Sequence, residues 1–248
     1  MNLFCEVHSG LPREGPGSIE TTRKAFMTLR SLPMDFKLLE IGCGPGLQTL
    51  ELARMSENKS GHIVATDINE TFLGGLRASL SKSAIYNVTV QQEDMFSLSF
   101  EEGVFDVIWS EGSIFILGFE RGLNEWKKHL TPNGVLLVSE LSWLENGPPE
   151  EARSFWSKSY PKMLTLEENV AVAKNCGYEV ESSFTLPESD WFDEYYLPME
   201  SRIKSLKLKY RGIYKKQMVL NGFIQEIDMY RKYSKSYGYV FFTFRKKG

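Results

Sequence analysis

The chain has 248 residues, 42% of them hydrophobic and 25% charged, with 29 Lys and Arg against 32 Asp and Glu. That is enough chain for a full hydrophobic core, and the balance is that of an ordinary globular protein, which excludes a disordered, collagenous or coiled-coil molecule. The longest apolar runs, Ile114 to Phe119 and Tyr239 to Phe244, fall far short of the roughly 18–20 residues of a membrane helix.

Residues 1–16 contain Gly10, Pro12, Gly15 and Pro16 and read as irregular chain leading into a helix near 18–32. The first ten residues lack the charged start and apolar middle of a secretory signal. From there to about residue 185, strand-like runs alternate with helical patterns. Strands are expected at Lys37–Ile41, His62–Thr66, Asn87–Gln91, Phe105–Ser110, Gly134–Glu140 and Tyr178–Phe184. Helices are expected at Leu47–Met55, Asn69–Ser81, Glu120–Leu130 and Leu166–Asn175. Thr131-Pro132-Asn133-Gly134 and Cys176-Gly177 stop helices ahead of strands. About 50 residues, mostly helical by pattern, then precede an aromatic strand at Tyr237–Phe244. Continuous Val, Ile and Leu runs suit a sheet covered on both faces, so the alternation predicts an α/β fold with a doubly wound, mostly parallel sheet.

Cys5, Cys43 and Cys176 form no CxxC pair, and His8, His62 and His129 are scattered. A disulfide framework and a protein-built metal site are therefore not expected, and a reducing cytoplasm is. The charge is unevenly distributed. Residues 201–248 hold 13 Lys and Arg with only Glu226 and Asp228 as acids, a net of +11, and the rest carries −14. Such a segment is either a basic surface for an anionic partner or a set of solvated helices.

The segment Leu38-Leu39-Glu40-Ile41-Gly42-Cys43-Gly44-Pro45-Gly46-Leu47 runs from a buried strand through a glycine turn into a helix. That geometry puts a nucleotide-type ligand at a strand's C-terminal end. Counting from Gly42, the third glycine comes one residue too early for a dinucleotide fingerprint, and no Gly-Lys-Ser/Thr follows. The E-x-G-x-G-x-G turn resembles motif I of the class I S-adenosylmethionine-dependent methyltransferases. Further segments are similar to later motifs of that family, in order: Ile63-Val64-Ala65-Thr66-Asp67, Glu93-Asp94-Met95-Phe96-Ser97-Leu98-Ser99-Phe100, Phe105 to Ser110, and Leu130 to Val138. The resemblance covers about residues 36–142 and extends, with Gly10 to Ser18, to uncharacterised methyltransferases of the ubiquinone/menaquinone type, a label that concerns the cofactor half and names no quinone substrate.

The resemblance implies a Rossmann-like, seven-stranded methyltransferase fold and S-adenosylmethionine as cofactor, with S-adenosylhomocysteine as product. It implies cofactor contacts from Glu40, Gly42, Cys43, Gly44, Gly46, Asp67, Ile68, Asp94, Met95 and Ser110. Asp67 would hold both ribose hydroxyls and Asp94 the adenine amino group, which suits charge-assisted bonds to a carboxylate. Asp67 can alternatively cap the following helix. Glu40 either supports the loop or attracts the ligand's ammonium, and Cys43 reads as a small residue that the turn tolerates.

Methyl transfer from a sulfonium needs alignment and exclusion of water, and a base only when the acceptor must lose a proton. No catalytic residue is therefore assigned. Substrate-facing candidates are Glu111, Glu140, Trp143, Tyr195, Tyr196 and, in a lid, His8, with Trp191 as a further pocket aromatic. Each aromatic is equally readable as core packing, and Glu111 as an exposed loop acid. The organisation expected is an N-terminal arm and helix (1–35) forming a lid, a cofactor-binding core (36–185), a helical insertion that shapes the acceptor site (186–236), and a last core strand (237–248). The expected partner is a small-molecule methyl acceptor. The alternatives are a nucleic-acid methyltransferase using the basic segment, although Trp109-Ser110-Glu111-Gly112 stands where an N-P-P-Y-type tetrad would be, and a non-catalytic cofactor-binding module.

Overall fold

The computed structural model describes residues 3–8 and 10–248. Its centre is a seven-stranded sheet in the order β3-β2-β1-β4-β5-β7-β6. The strands are β1 (Lys37–Ile41), β2 (His62–Asp67), β3 (Val88–Gln92), β4 (Phe105–Ser110), β5 (Leu130–Trp143), β6 (Tyr178–Thr185) and β7 (Tyr237–Lys246). The first five are parallel, and β7 runs antiparallel to both β5 and β6. The expected doubly wound sheet is present. Strand order reverses between β1 and β4, which opens a crevice at their carboxyl ends.

Period-two alternation divides the core. Leu38, Val107, Trp109, Leu137 and Phe241 join one buried cluster, with Leu52 of α3 (Leu47–Ser56) and Leu73 and Leu76 of α4 (Glu70–Lys82). Leu39, Ile41, Ile108, Leu136, Val138 and Phe242 join another, with Leu123 of α6 (Phe119–Trp126) and Ala173 of α8 (Leu166–Asn175). A third cluster holds the region before β7 in place. It packs Trp143, Trp156, Trp191, Tyr196, Ile203, Leu220, Tyr230 and Tyr237 together.

That region contains α9 (Glu188–Trp191), a π-helical turn (Phe192–Tyr196), α10 (Leu197–Lys209) and α11 (Tyr214–Tyr233). It explains why β5 outruns its expected end at Glu140, since its pairing with β7 continues to Trp143 opposite Tyr237 inside the third cluster. Within the core, α5 (Ile114–Leu117) and α7 (Glu150–Ser159) were not expected from the sequence.

The N-terminal arm differs from irregular chain. It forms α1 (Leu3–His8), too short to be stable alone. Docking on α10 holds it: the Glu6 carboxylate accepts from Tyr210 Oη at 2.7 Å and pairs with Lys209 Nζ at 2.7 Å, while Arg202 Nε donates to the Glu6 carbonyl at 3.0 Å. The next helix, α2 (Ile19–Phe26), starts at the Ser18 cap and ends well before residue 32, where Ser31 takes a φ of 61° ahead of Pro33. No helix among the described residues is long and apolar enough to cross a membrane.

Candidate active site

A cavity of about 710 Å³ opens at the carboxyl ends of β1, β2 and β4, under the N-terminal arm. Its volume suits a small-molecule ligand site. The glycine turn forms one end. Gly42 and Cys43 amides both donate to the Thr66 carbonyl at 2.9 Å, and Gln48 Nε2 donates to the Cys43 carbonyl at 2.8 Å, so the loop is fixed against β2 and α3. Gly42 has φ 75°, and a Cβ there would lie 2.6 Å from Ser113 Oγ, so no side chain fits. Gly44 has φ 52° and faces open space, with only Glu14 Cγ at 3.9 Å.

Asp67 stands beside this turn. Its Oδ2 accepts from the Gly44 amide at 2.9 Å and its Oδ1 from the Asn69 amide at 2.8 Å. The cap of α4 is Asn69, which accepts from the Thr71 amide, so Asp67 is held ready at the cavity wall instead of capping the helix. Ile68, Asp94 and Met95 line the same wall. Asp94 Oδ1 accepts from the Phe96 amide at 2.9 Å, and no hydrogen bond among the described residues occupies its Oδ2. Cys43 lines the cavity but packs its side chain into the core, where burial raises the thiol's pKa far above its ordinary value and keeps it protonated.

Other expected cofactor residues do not reach the cavity. Gly46 starts α3 at φ 86°, with its Cβ direction blocked by Leu76 at 2.5 Å. Ser110 is buried and shares a hydrogen bond with Ser113, which takes the place at the wall. Glu40 lies beneath the loop. Thr49 Oγ1 donates to its Oε2 at 2.7 Å, and burial raises its pKa to about 8. It lies beneath the turn and does not line the cavity.

The substrate-side candidates are rearranged in the same way. Glu111 lines the cavity but is neither exposed nor free. It accepts from Arg13 Nη1 at 2.9 Å, Thr22 Oγ1 at 2.9 Å and Trp109 Nε1 at 3.0 Å, and so pins the arm to the end of β4. Glu140 is buried behind the wall, where Tyr160 donates to it and burial raises its pKa to about 8. Trp143 and Tyr196 belong to the third core cluster and do not line the cavity, while Trp191 and Tyr195 do. His8 also stays off the wall, with Nε2 3.1 Å from Tyr195 Oη, and burial lowers its pKa.

Residues without a role from sequence complete the far wall: Phe115, Leu141, Trp156, Tyr160, Glu226 and Tyr239. The sequence held one signal for them. Glu226 is one of two acids in the basic final 48 residues. In the arm, Glu14 also lines the cavity, its carboxyl pKa raised by burial and by the nearby Asp67 charge.

These residues fit S-adenosylmethionine. The cradle at Gly44 is open, Asp67 is oriented toward the space beside it, and Glu14 supplies an acid at the same end. Comparison with known proteins agrees. Residues 38–134 match the family model of a methyltransferase domain. Sterol 24-C-methyltransferase of Saccharomyces cerevisiae is 26% identical over 67% of this chain and 45% of its own length. Demethylmenaquinone methyltransferase of Mycolicibacterium gilvum is 32% identical over 58% of each chain. The chain thus spans about half the length of these relatives. In fold, it superposes on an S-adenosylmethionine-dependent methyltransferase of Geobacter sulfurreducens, solved with S-adenosyl-L-homocysteine, with a TM-score of 0.81 over 99% of this chain and 98% of that one at 19% identity. Residues 38–134 therefore match a methyltransferase domain, in a fold shared with S-adenosylmethionine-dependent methyltransferases.

Proposed function

We propose that the protein transfers a methyl group from S-adenosylmethionine to a small-molecule acceptor held in the same cavity. One observation carries this reading: the cavity runs without interruption from the glycine turn to an aromatic wall built by α7, α9, the π-helical turn, α11 and β7. Asp67 would hold the ribose diol, Asp94 the adenine amino group, and Glu14 the ammonium of the methionine portion. When bound, the cofactor supplies a methyl group on a cationic sulfur, open to in-line displacement.

The chain's own work is then alignment and exclusion of water. Arg13 to Pro16 cover the cavity, fixed by the Arg13–Glu111 pair and by the Gly17 amide donating to the Asp190 carbonyl at 3.2 Å. Residues 1–35 act as the lid in this reading, 36–185 as the cofactor core, 186–236 as the acceptor-shaping insertion, and 237–248 as the strand that completes the core. The aromatic wall favours a compact acceptor over a polymer. A cytoplasmic setting belongs to the same reading, supported by the buried free thiols Cys43 and Cys176.

Calorimetry with S-adenosylmethionine and S-adenosylhomocysteine tests the cofactor half, and transfer of labelled methyl into a metabolite extract tests the acceptor half. Saturable binding with a labelled small-molecule product is expected. Absence of binding overturns the reading, and tight binding with no product would leave a cofactor-binding module.

A further inference from the structure

The charges around the cavity do not balance. Six acids line it, Glu14, Asp67, Glu93, Asp94, Glu111 and Glu226, against one base, Arg13. Arg13 is consumed by Glu111. Glu93 is satisfied by Gln91 and by the Ser99 amide and hydroxyl. Asp67, Asp94 and Glu14 stand at the cofactor end. Glu226 is left at the aromatic end, and Tyr196 Oη, at 3.1 Å, is its one hydrogen-bond partner among the described residues. None of the ion pairs among those residues includes it.

An unpaired carboxylate in such surroundings is costly unless a cation joins it. Its aromatic neighbours suit that cation. Trp191, Tyr195 and Tyr239 line the same part of the cavity, and Tyr195 and Tyr239 both lie within electrostatic reach of Glu226. Trp191 is held rigid by stacking on Tyr230 at 4.0 Å and lies 5.4 Å from Tyr239, centroid to centroid. Aromatic faces attract ammonium groups, and more strongly when desolvated. Burial raises the Glu226 carboxyl pKa in the free protein, as expected for an acid that lacks its counter-ion.

Building on the methyltransferase reading, we infer that the acceptor carries an ammonium group, which Glu226 holds within a cage of Trp191, Tyr195 and Tyr239. The probe is tetramethylammonium, with tert-butanol as the neutral molecule of similar shape, titrated into protein loaded with S-adenosylhomocysteine so that the cofactor end is filled. Saturable binding of tetramethylammonium without matching binding of tert-butanol is expected. Glu226→Gln should weaken it at least about tenfold, and Glu226→Asp by less, with the melting temperature of the loaded protein as the folding control. Equal binding of the two probes, or undiminished binding by Glu226→Gln, overturns the inference. If S-adenosylhomocysteine itself does not bind, the methyltransferase reading fails. The cage is then judged on unloaded protein by the same dependence on Glu226.

A separate observation concerns the corner between α10 and α11. Leu208, Ile213, Tyr214, Met218 and Val219 are exposed there, Leu208 and Tyr214 by 76% and 75%. Between Glu200 and Glu226 there is no acid, and Lys204, Arg211 and Lys215 are exposed without an ion pair among the described residues. Mixed aliphatic and basic groups match an anionic bilayer surface. Like charges oppose a second copy of the same patch, and with Tyr214 as the one aromatic beside Leu208, Ile213, Met218 and Val219 it offers bases little to stack on. The geometry points to peripheral docking of this corner on an anionic membrane. Sedimentation with phosphatidylglycerol vesicles should carry the protein down at low salt, unlike phosphatidylcholine vesicles. Leu208→Ser with Tyr214→Ser and Met218→Ser should abolish this. No co-sedimentation, an unaffected triple variant, or instead self-association or RNA retention through this corner, overturns it.

Discussion

The Asp67 carboxylate accepts one backbone hydrogen bond on each oxygen, from Gly44 and Asn69, which leaves further lone pairs for a diol. Charged hydrogen bonds of this kind contribute about 1.5–3 kcal/mol, so Asp67→Asn should weaken S-adenosylmethionine binding by about 10–100-fold in calorimetry. Unchanged affinity would show that Asp67 serves the loop alone. The two nearby glycines separate fold from ligand. Gly42→Ala puts a Cβ against Ser113 and should lower the melting temperature. Gly44→Ala meets only Glu14 Cγ, so it should cost about 1–2 kcal/mol of left-handed strain while reducing cofactor affinity more severely. Glu40 and Glu140 make a prediction about pH. Each ionises near 4.5 in the unfolded chain and about 8 in the fold, chiefly through burial. The fold therefore retains protons that the unfolded chain has released. Their stabilisation is complete below pH 4.5 and is lost as pH rises through 8. Melting curves of Glu40→Gln/Glu140→Gln should lose that decline and exceed the parent near pH 8, and an identical slope would refute the assignment. The local signals at this scale were readable because the glycine turn, Asp67 and Asp94 follow strand ends directly in sequence. What Glu40, Ser110 and Glu111 touch was not, because their partners Thr49, Ser113 and Arg13 are chosen by the fold.

At the scale of elements, the arm is the part least like its sequence. Gly10 and Pro12 suggest irregular chain, yet α1 forms because Glu6 finds three partners, Arg202 and Lys209 on α10 and Tyr210 at its C-terminal cap. Tertiary docking overrides weak local preference here. The same arm is fixed to β4 by Arg13 and Glu111, whose side chains are 5% and 8% exposed. Removing one partner of a buried pair costs about 3–5 kcal/mol, because the other charge is left unpaired. Glu111→Gln should therefore lower stability by about 3 kcal/mol in denaturant titration and expose Arg13 to trypsin. Adding Arg13→Met should recover most of the stability. If the single variant is as stable as the parent, Glu111 is free to act on the acceptor and the clamp is wrong. Helices α3 and α8 were legible from apolar spacing and their bounding turns. The four residues of α5 and the polar stretch of α7 offered no comparable period, and packing supports them instead.

For the whole molecule, the sheet was legible because its strands are compact apolar runs punctuated by turns, and their succession fixes a doubly wound order. The proposed cofactor half of the cavity follows from that order, since it lies where the order reverses. The proposed acceptor half does not. Trp156, Trp191, Glu226 and Tyr239 lie on four elements and converge only after the region before β7 folds onto β5 and β7. The uneven charge acquires a location as well. Eight of the 13 basic residues in 201–248 lie on α10 and α11 and none of the 13 lines the cavity, which is acidic. The most direct test of one cavity serving both halves is a crystal structure with S-adenosylhomocysteine. The predicted result has the ribose on Asp67, the adenine beside Asp94, and the sulfur directed at the wall formed by Trp191, Tyr195 and Tyr239. A ligand bound elsewhere, or a sulfur that faces away from that wall, would contradict the account.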